Sequence, residues 1–225
     1  MTSNQTARWV GALFLLATAA YLTGSGLVNG VLNEPEFLSR LAAEKGSMTA
    51  GLFLEMVNSA AVIGIAALLF PILKVYDEGI AAIYLGSRIV ESILLLAGTA
   101  VTFVLLSGNE SPVDGAAGLE NGVWPAALGM LAVNGREISF QLAMLSLASG
   151  SILFCWLLYR QQLIPRLLAL LGLAGYAALL ASSCLSLSGY EAGSVLFIPG
   201  AIFEIVFPVW LLVKGSRSFS RSGWR

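Results

Sequence analysis

Six stretches of this chain are each long enough and apolar enough to cross a lipid bilayer, and that leaves few ways to fold it. A helix covers the ~30 Å hydrocarbon core with about 20 mostly apolar residues. Residues 9–32, 49–73, 79–106, 137–159, 164–187 and 194–213 all qualify. None alternates with the period of two that a membrane barrel strand needs. The expected fold is therefore all-α: a polytopic membrane protein, one domain built as a six-transmembrane-helix bundle. Composition agrees. Charged residues make up 11% of the 225, against roughly 25% in a soluble domain, and mean hydropathy is +0.84.

Short polar links join some of the stretches. Residues 74–78 connect the second to the third, and 160–163 the fourth to the fifth, with Pro165 placed for the next helix's first turn. Those neighbours must run antiparallel. Arg8, the apolar run after it and the small residues at 17, 19 and 20 imitate a cleavable signal, but the run continues to Leu32, so an uncleaved first span is expected. Arg8, Lys74, Arg160, Arg166, Lys214, Arg217, Arg221 and Arg225 fall on one side of this topology, and Arg40, Lys45 and Arg136 on the other. Eight cations against three predict that both termini are cytoplasmic. The basic tail, 214–225, is expected to lie against anionic headgroups as a topology anchor.

Two outer loops are expected to carry short interfacial helices. Residues 33–47 read as one, with Pro35 in its first turn and Gly46 as its stop. Phe37, Leu38, Leu41 and Ala42 share a face opposite Glu36, Arg40 and Glu44, which suits the membrane interface. In 107–135 the first half is rich in Gly and acids, whereas 123–133 is apolar and only half a membrane long. That length predicts a separate interfacial or re-entrant segment capping the bundle. Cys155 and Cys184 fall near opposite faces, too far apart for a disulfide, and read as small buried hydrophobes.

The informative residues are the ionisable ones inside the spans: Glu55, Arg88, Glu91 and Glu204. A charge at the bilayer centre costs about 2.5–3.5 kcal/mol even on the lenient insertion scale, so these groups should face the bundle interior and pair. Arg88 and Glu91 are three apart, close to one face of a helix. A rise of about 1.5 Å per residue puts Glu91 and Glu204 near the midplane, Arg88 a turn toward the termini and Glu55 in the outer third. Arg88 is expected to be held by Glu91, Glu204 or both. Asn58, Ser87, Ser92 and Gln141 are placed to fill remaining hydrogen bonds. On this count three acids share one cation, so at least one acid must carry a proton or face water.

Catalysis finds little footing. The chain has no His, which removes the commonest general base and metal ligand together. No Cys spacing builds a zinc site, no Gly loop cradles phosphate, and nothing singles out a haem ligand. Ser182, Ser183, Ser186 and Ser188 have no His to activate them. No catalytic residue, metal or cofactor is expected. The net charge of −1 argues against nucleic acid as a partner. Gly172 with Gly175, and Ala60 with Gly64, read as close-packing positions between helices. Pro199 and Pro208 flank Glu204 and could kink its helix. No internal repeat marks an inverted-repeat transporter.

The expected function is binding or transport of a small molecule, lipid or proton through the Arg88, Glu91, Glu204 and Glu55 cluster, supported by Asn58 and Gln141. The alternative is a structural or accessory membrane subunit in which the cluster only fixes packing. A metal-free intramembrane enzyme comes third. The partners implied are the lipid bilayer and a lipid or small-molecule ligand.

Arg8-Trp9-Val10-Gly11-Ala12-Leu13 leads the first span, and Arg88 and Glu91 lie on the third. Leu163-Ile164-Pro165-Arg166 opens the fifth, followed by Gly172, Gly175 and Tyr176, and Glu204 precedes Trp210-Leu211-Leu212-Val213-Lys214-Gly215. In this order the features resemble a bacterial membrane family catalogued as domain of unknown function 4386. The likeness covers nearly the whole chain except 109–132. It implies a six-span bundle in a bacterial cytoplasmic membrane and supplies no activity.

Overall fold

The computed structural model describes residues 3–34, 37–108, 123–190 and 194–219, and among them it holds helices and turns only. Each apolar stretch becomes one long helix. In chain order the helices are α1 (Ser3–Leu32), a four-residue α2 (Phe37–Arg40), α3 (Lys45–Leu73), α4 (Glu78–Gly108), α5 (Val123–Arg160), α6 (Arg166–Leu187) and α7 (Ile198–Phe219). A 3-10 turn, Ser194–Phe197, leads into α7. The six long helices are long and apolar enough to cross a membrane. Their outward faces carry exposed Phe53, Ile93, Val104, Leu170 and Val209, a surface that suits lipid and that a soluble monomer rarely presents. The chain is a multi-pass membrane protein.

Successive long helices pack side by side, and α7 returns to pack on α1, which closes a ring. One end of the ring, here the terminal end, carries the start of α1, the end of α7 and the α3–α4 and α5–α6 links. The other helix ends lie at the opposite, distal end. Small residues set the closest approaches. A Cβ on Gly24 of α1 would lie 2.7 Å from the Gly51 carbonyl oxygen on α3, and one on Gly175 of α6 would lie 2.6 Å from Gly200 N on α7. Gly172 would meet Cys155 Sγ at 2.7 Å, so Gly172 and Gly175 close-pack as their spacing predicts. Ala60 and Gly64 do not: Ala60 is exposed, and a Cβ on Gly64 would make only an ordinary 3.5 Å contact with Leu13. Ser92 Oγ donates to the Ser59 carbonyl at 2.8 Å, and Ser146 Oγ to the Ser87 carbonyl at 2.8 Å. Ser92 therefore ties α4 to α3, and the Ser87 hydroxyl donates within α4 to the Tyr84 carbonyl at 2.8 Å, so neither serves the buried charges.

The main departure is α5. Residues 123–133 are not a separate interfacial or re-entrant segment; they open a single 38-residue helix. The polar Asn134, Arg136 and Glu137 interrupt the hydropathy, yet the helix carries them through to the bundle. The 33–47 connection also differs. Its helix is four residues long, and Gly46 lies inside α3. Leu41 is buried with Val28, Met48 and Leu52, and Phe37 and Leu38 press on Gly129 of α5, so the connection is held by helices on its apolar side. Ala42 is exposed. Cys155 is buried as expected, but Cys184 is exposed, because its position on α6 faces out of the ring. Pro35, Glu36, the Gly- and acid-rich 109–122 and the tail from 220 lie outside the described residues.

Candidate functional site

Arg88 projects from α4 into the ring and is 3% exposed. Its Nη1 lies 2.9 Å from Glu91 Oε2, and its guanidinium lies 6.0 Å from the centre of the Phe14 ring and 5.9 Å from that of Tyr84. Aromatic faces from α1 and α4 thus share the cation with one carboxylate. The contact with Glu91 is an ion pair whose geometry is not a hydrogen bond's. Arg88 Nε also has no hydrogen-bond partner, which is uncommon for a buried donor.

Glu204 comes from α7, across the ring. It is not ion-paired to Arg88; Tyr176 of α6 donates its hydroxyl to Glu204 Oε1 at 3.2 Å. Pro199 lies in the first turn of α7, where its missing N–H removes no helix bond. Pro208 lies in the interior and has no N–H, so it cannot bond the Glu204 carbonyl one turn back. Arg88, Glu91, Tyr176 and Glu204 border one cavity of about 290 Å³, with walls from all six long helices. Most of the remaining lining is apolar, including Val62, Met144 and Leu179. Toward the terminal end Phe14 lines the cavity and belongs to a connected set of four rings from four helices. Phe14 packs on Phe207 at 5.6 Å, Phe207 on Phe154 at 5.9 Å, and Phe154 on Tyr84 at 4.5 Å.

Glu55 does not join this group. It pairs with Arg136, whose Nη2 and Nη1 donate to Glu55 Oε1 and Oε2 respectively, the two-pronged arrangement that a guanidinium favours with a carboxylate. Thr99 donates to Glu55 Oε2 at 3.0 Å, and Arg136 Nη1 also reaches Thr102 Oγ1 at 3.3 Å. The buried Glu55 and Glu91 and the half-buried Glu204 therefore share two cations, not one. The acid left over is Glu204. Gln141 donates to Glu137 Oε1 at 2.6 Å, so it does not serve the Arg88 cluster either.

Glu55, Arg136 and Glu137 line a second cavity, of about 360 Å³, in the distal half. Its α1 wall is Tyr21, Ser25 and Asn29, a polar row four residues apart on one helix face, with Leu32 and, in the turn just past the helix, Asn33. Asn29 donates to Ser25 Oγ at 3.0 Å. Asn58 borders both cavities.

The polar row on α1 was readable from its spacing. Arg136 was hidden by a span boundary drawn one residue too late, and the Tyr176–Glu204 contact needs the fold. Among the described residues, no cluster of His, Cys, Asp and Glu could hold a metal ion. A family model described as Domain of unknown function (DUF4386) matches residues 9–215. The chain belongs to that family. No curated protein and no solved structure matches it.

Proposed function

We propose that this DUF4386 protein binds a small molecule in its central cavity and exchanges it for a proton, working in a bacterial cytoplasmic membrane with both termini in the cytoplasm. The observation that carries this reading is the cavity itself, which reaches Arg88, Glu91 and Glu204 at once. A subunit whose buried charges only fixed packing would have no use for that space. Arg88 and Glu91, moreover, are on one helix, so their pair cannot clasp two helices together. That task falls to Glu55 and Arg136, which join α3 to α5.

Charge balance supports a ligand class. Arg88 and Glu91 neutralise each other, so an ionised Glu204 leaves the chamber with a net negative charge that a proton or a ligand cation can neutralise. The apolar remainder of the wall suits an apolar body. The ligand is accordingly a small amphipathic amine, its ammonium and a proton competing for Glu204.

Phenethylammonium titrated into the purified protein by calorimetry tests this. Saturable binding is expected, stronger at higher pH because the bound proton must leave, and lost in Glu204→Gln. Absence of binding, or equal binding by Glu204→Gln, would overturn it.

A further inference from the structure

The two cavities share four wall residues: Tyr21, Asn58, Leu95 and Phe140. Two of these are aromatic and touch. The Tyr21 and Phe140 rings are stacked, 6.2 Å apart and 7° from parallel. Tyr21 belongs to α1, whose ring neighbours are α3 and α7; Phe140 belongs to α5, whose neighbours are α4 and α6. The contact therefore reaches across the inside of the ring between helices that are not ring neighbours. From the distal side it divides a polar chamber from an apolar one.

Between α1 and α7 the inner chamber also borders the exposed Leu22, Ala201 and Ile205, so its flank faces the apolar surroundings, while its two ends toward water are closed differently. On the terminal side, Phe14, Tyr84, Phe154 and Phe207 form a connected layer in which every ring is at most 4% exposed. On the distal side, the aromatic closure is the single Tyr21–Phe140 stack. An aromatic pair contributes about 0.5–1.5 kcal/mol beyond the area it buries, and exposed or loosely packed side chains change rotamer in nanoseconds. One pair can open without disturbing the ring. A four-helix aromatic layer cannot.

We infer that Tyr21 and Phe140 are the aqueous gate between a polar antechamber and the Arg88–Glu204 chamber, and that a cation arriving from water reaches the inner chamber from the distal end. The antechamber fits this part: its Ser25, Asn29 and Asn33 and the Glu55–Arg136 pair offer polar groups of both signs. They can take over hydration of an arriving ammonium before it passes the rings. The gate matters to function through the proposed use of the inner chamber, but its existence is measurable without any ligand.

The test places a reporter thiol on each side of the rings in a variant carrying Cys155→Ser and Cys184→Ser. Ala17→Cys reports the inner chamber, and Ser25→Cys the antechamber. The probe is a water-soluble ammonium methanethiosulfonate, applied to the distal face of sealed vesicles. Phe140→Ala should speed labelling of Ala17→Cys at least tenfold and leave Ser25→Cys within twofold. Tyr21→Phe, which keeps the ring, should leave both rates unchanged. Should Phe140→Ala fail to fold, Phe140→Leu and Tyr21→Leu, which keep apolar bulk and lose the stack, should each speed Ala17→Cys several-fold. Unchanged labelling of Ala17→Cys in all folded variants, or equal acceleration at both reporters, would overturn the gate. A working gate in a protein that does not bind phenethylammonium would instead count against the proposed function alone.

Discussion

Arg136 reaches from the distal half of α5 to Glu55 on α3, 81 residues away in sequence, and this pair spans helices that are not ring neighbours. It is a two-pronged ion pair across the distal half. Both side chains are largely buried, at 15% and 8% exposed. Removing one partner strands the other, at a cost of about 3–5 kcal/mol for a buried pair. Because the pair borders the antechamber, the low end of that range is expected.

Glu55→Ala and Arg136→Ala should therefore each lower the detergent melting temperature sharply. The double change Glu55→Met with Arg136→Met should recover most of the loss, since it leaves no unpaired charge. A double-mutant cycle measures the coupling, and a coupling near zero would show that the two residues do not depend on each other.

This pair also shows where sequence reading stops. Spacing alone brings Arg88 and Glu91 together, because that deduction needs only one helix. Partners on different helices were another matter. Arg136 lay one residue outside a hydropathy boundary, so it was counted with the loop cations and Glu55 was assigned to the wrong cluster. Hydropathy sees an apolar stretch end at Asn134; it cannot see that the same helix continues through the polar turn. The six spans were legible because bilayer thickness imposes a length. The ring order and the Tyr176–Glu204 and Tyr21–Phe140 contacts were not, because ring closure by α7 on α1 is a tertiary fact.

Two glycines should respond differently to the same change. A Cβ on Gly150 of α5 would overlap Ser87 Oγ on α4, whereas one on Gly175 would meet the Gly200 backbone at 2.6 Å. Gly150→Ala should cost about 1–3 kcal/mol, the usual range for overpacking, and Ser87→Gly should rescue it by removing the obstructing side chain. No side-chain change can rescue Gly175→Ala, because its obstacle is main chain. Melting curves of the two single variants and of Gly150→Ala with Ser87→Gly decide the matter; failure of Ser87→Gly to restore Gly150→Ala would mean that the overlap with Ser87 is not what destabilises it.

Orientation follows from the cation bias and is open to labelling. In the variant lacking both cysteines, thiols introduced at Ser3 and Ser216 should resist an impermeant maleimide added to intact cells. One at Asp114 should react. Labelling of Ser3 or Ser216 from outside would reverse the orientation and place the antechamber on the cytoplasmic side.

The last prediction separates the two acids of the inner chamber. Arg88 and Glu91 are 4% exposed by side chain and paired, so Arg88→Ala should strand Glu91 and destabilise the protein by about 3–5 kcal/mol. Arg88→Met with Glu91→Met should restore stability. Glu204 has no cation to strand; its hydrogen bond from Tyr176 survives in Glu204→Gln, whose amide oxygen still accepts. Glu204→Gln should therefore melt within about 1 kcal/mol of the parent, the net worth of an ordinary hydrogen bond. It should nevertheless lose phenethylammonium binding and its dependence on pH, because an amide can neither carry the exchanged proton nor neutralise an ammonium. A Glu204→Gln protein that unfolds as readily as Arg88→Ala would make Glu204 a packing group. One that melts normally yet still binds with rising affinity at higher pH would move the proton to Glu91, the other carboxylate in the chamber. Measuring both quantities on the same three variants is what distinguishes a residue that holds the chamber together from one that works inside it.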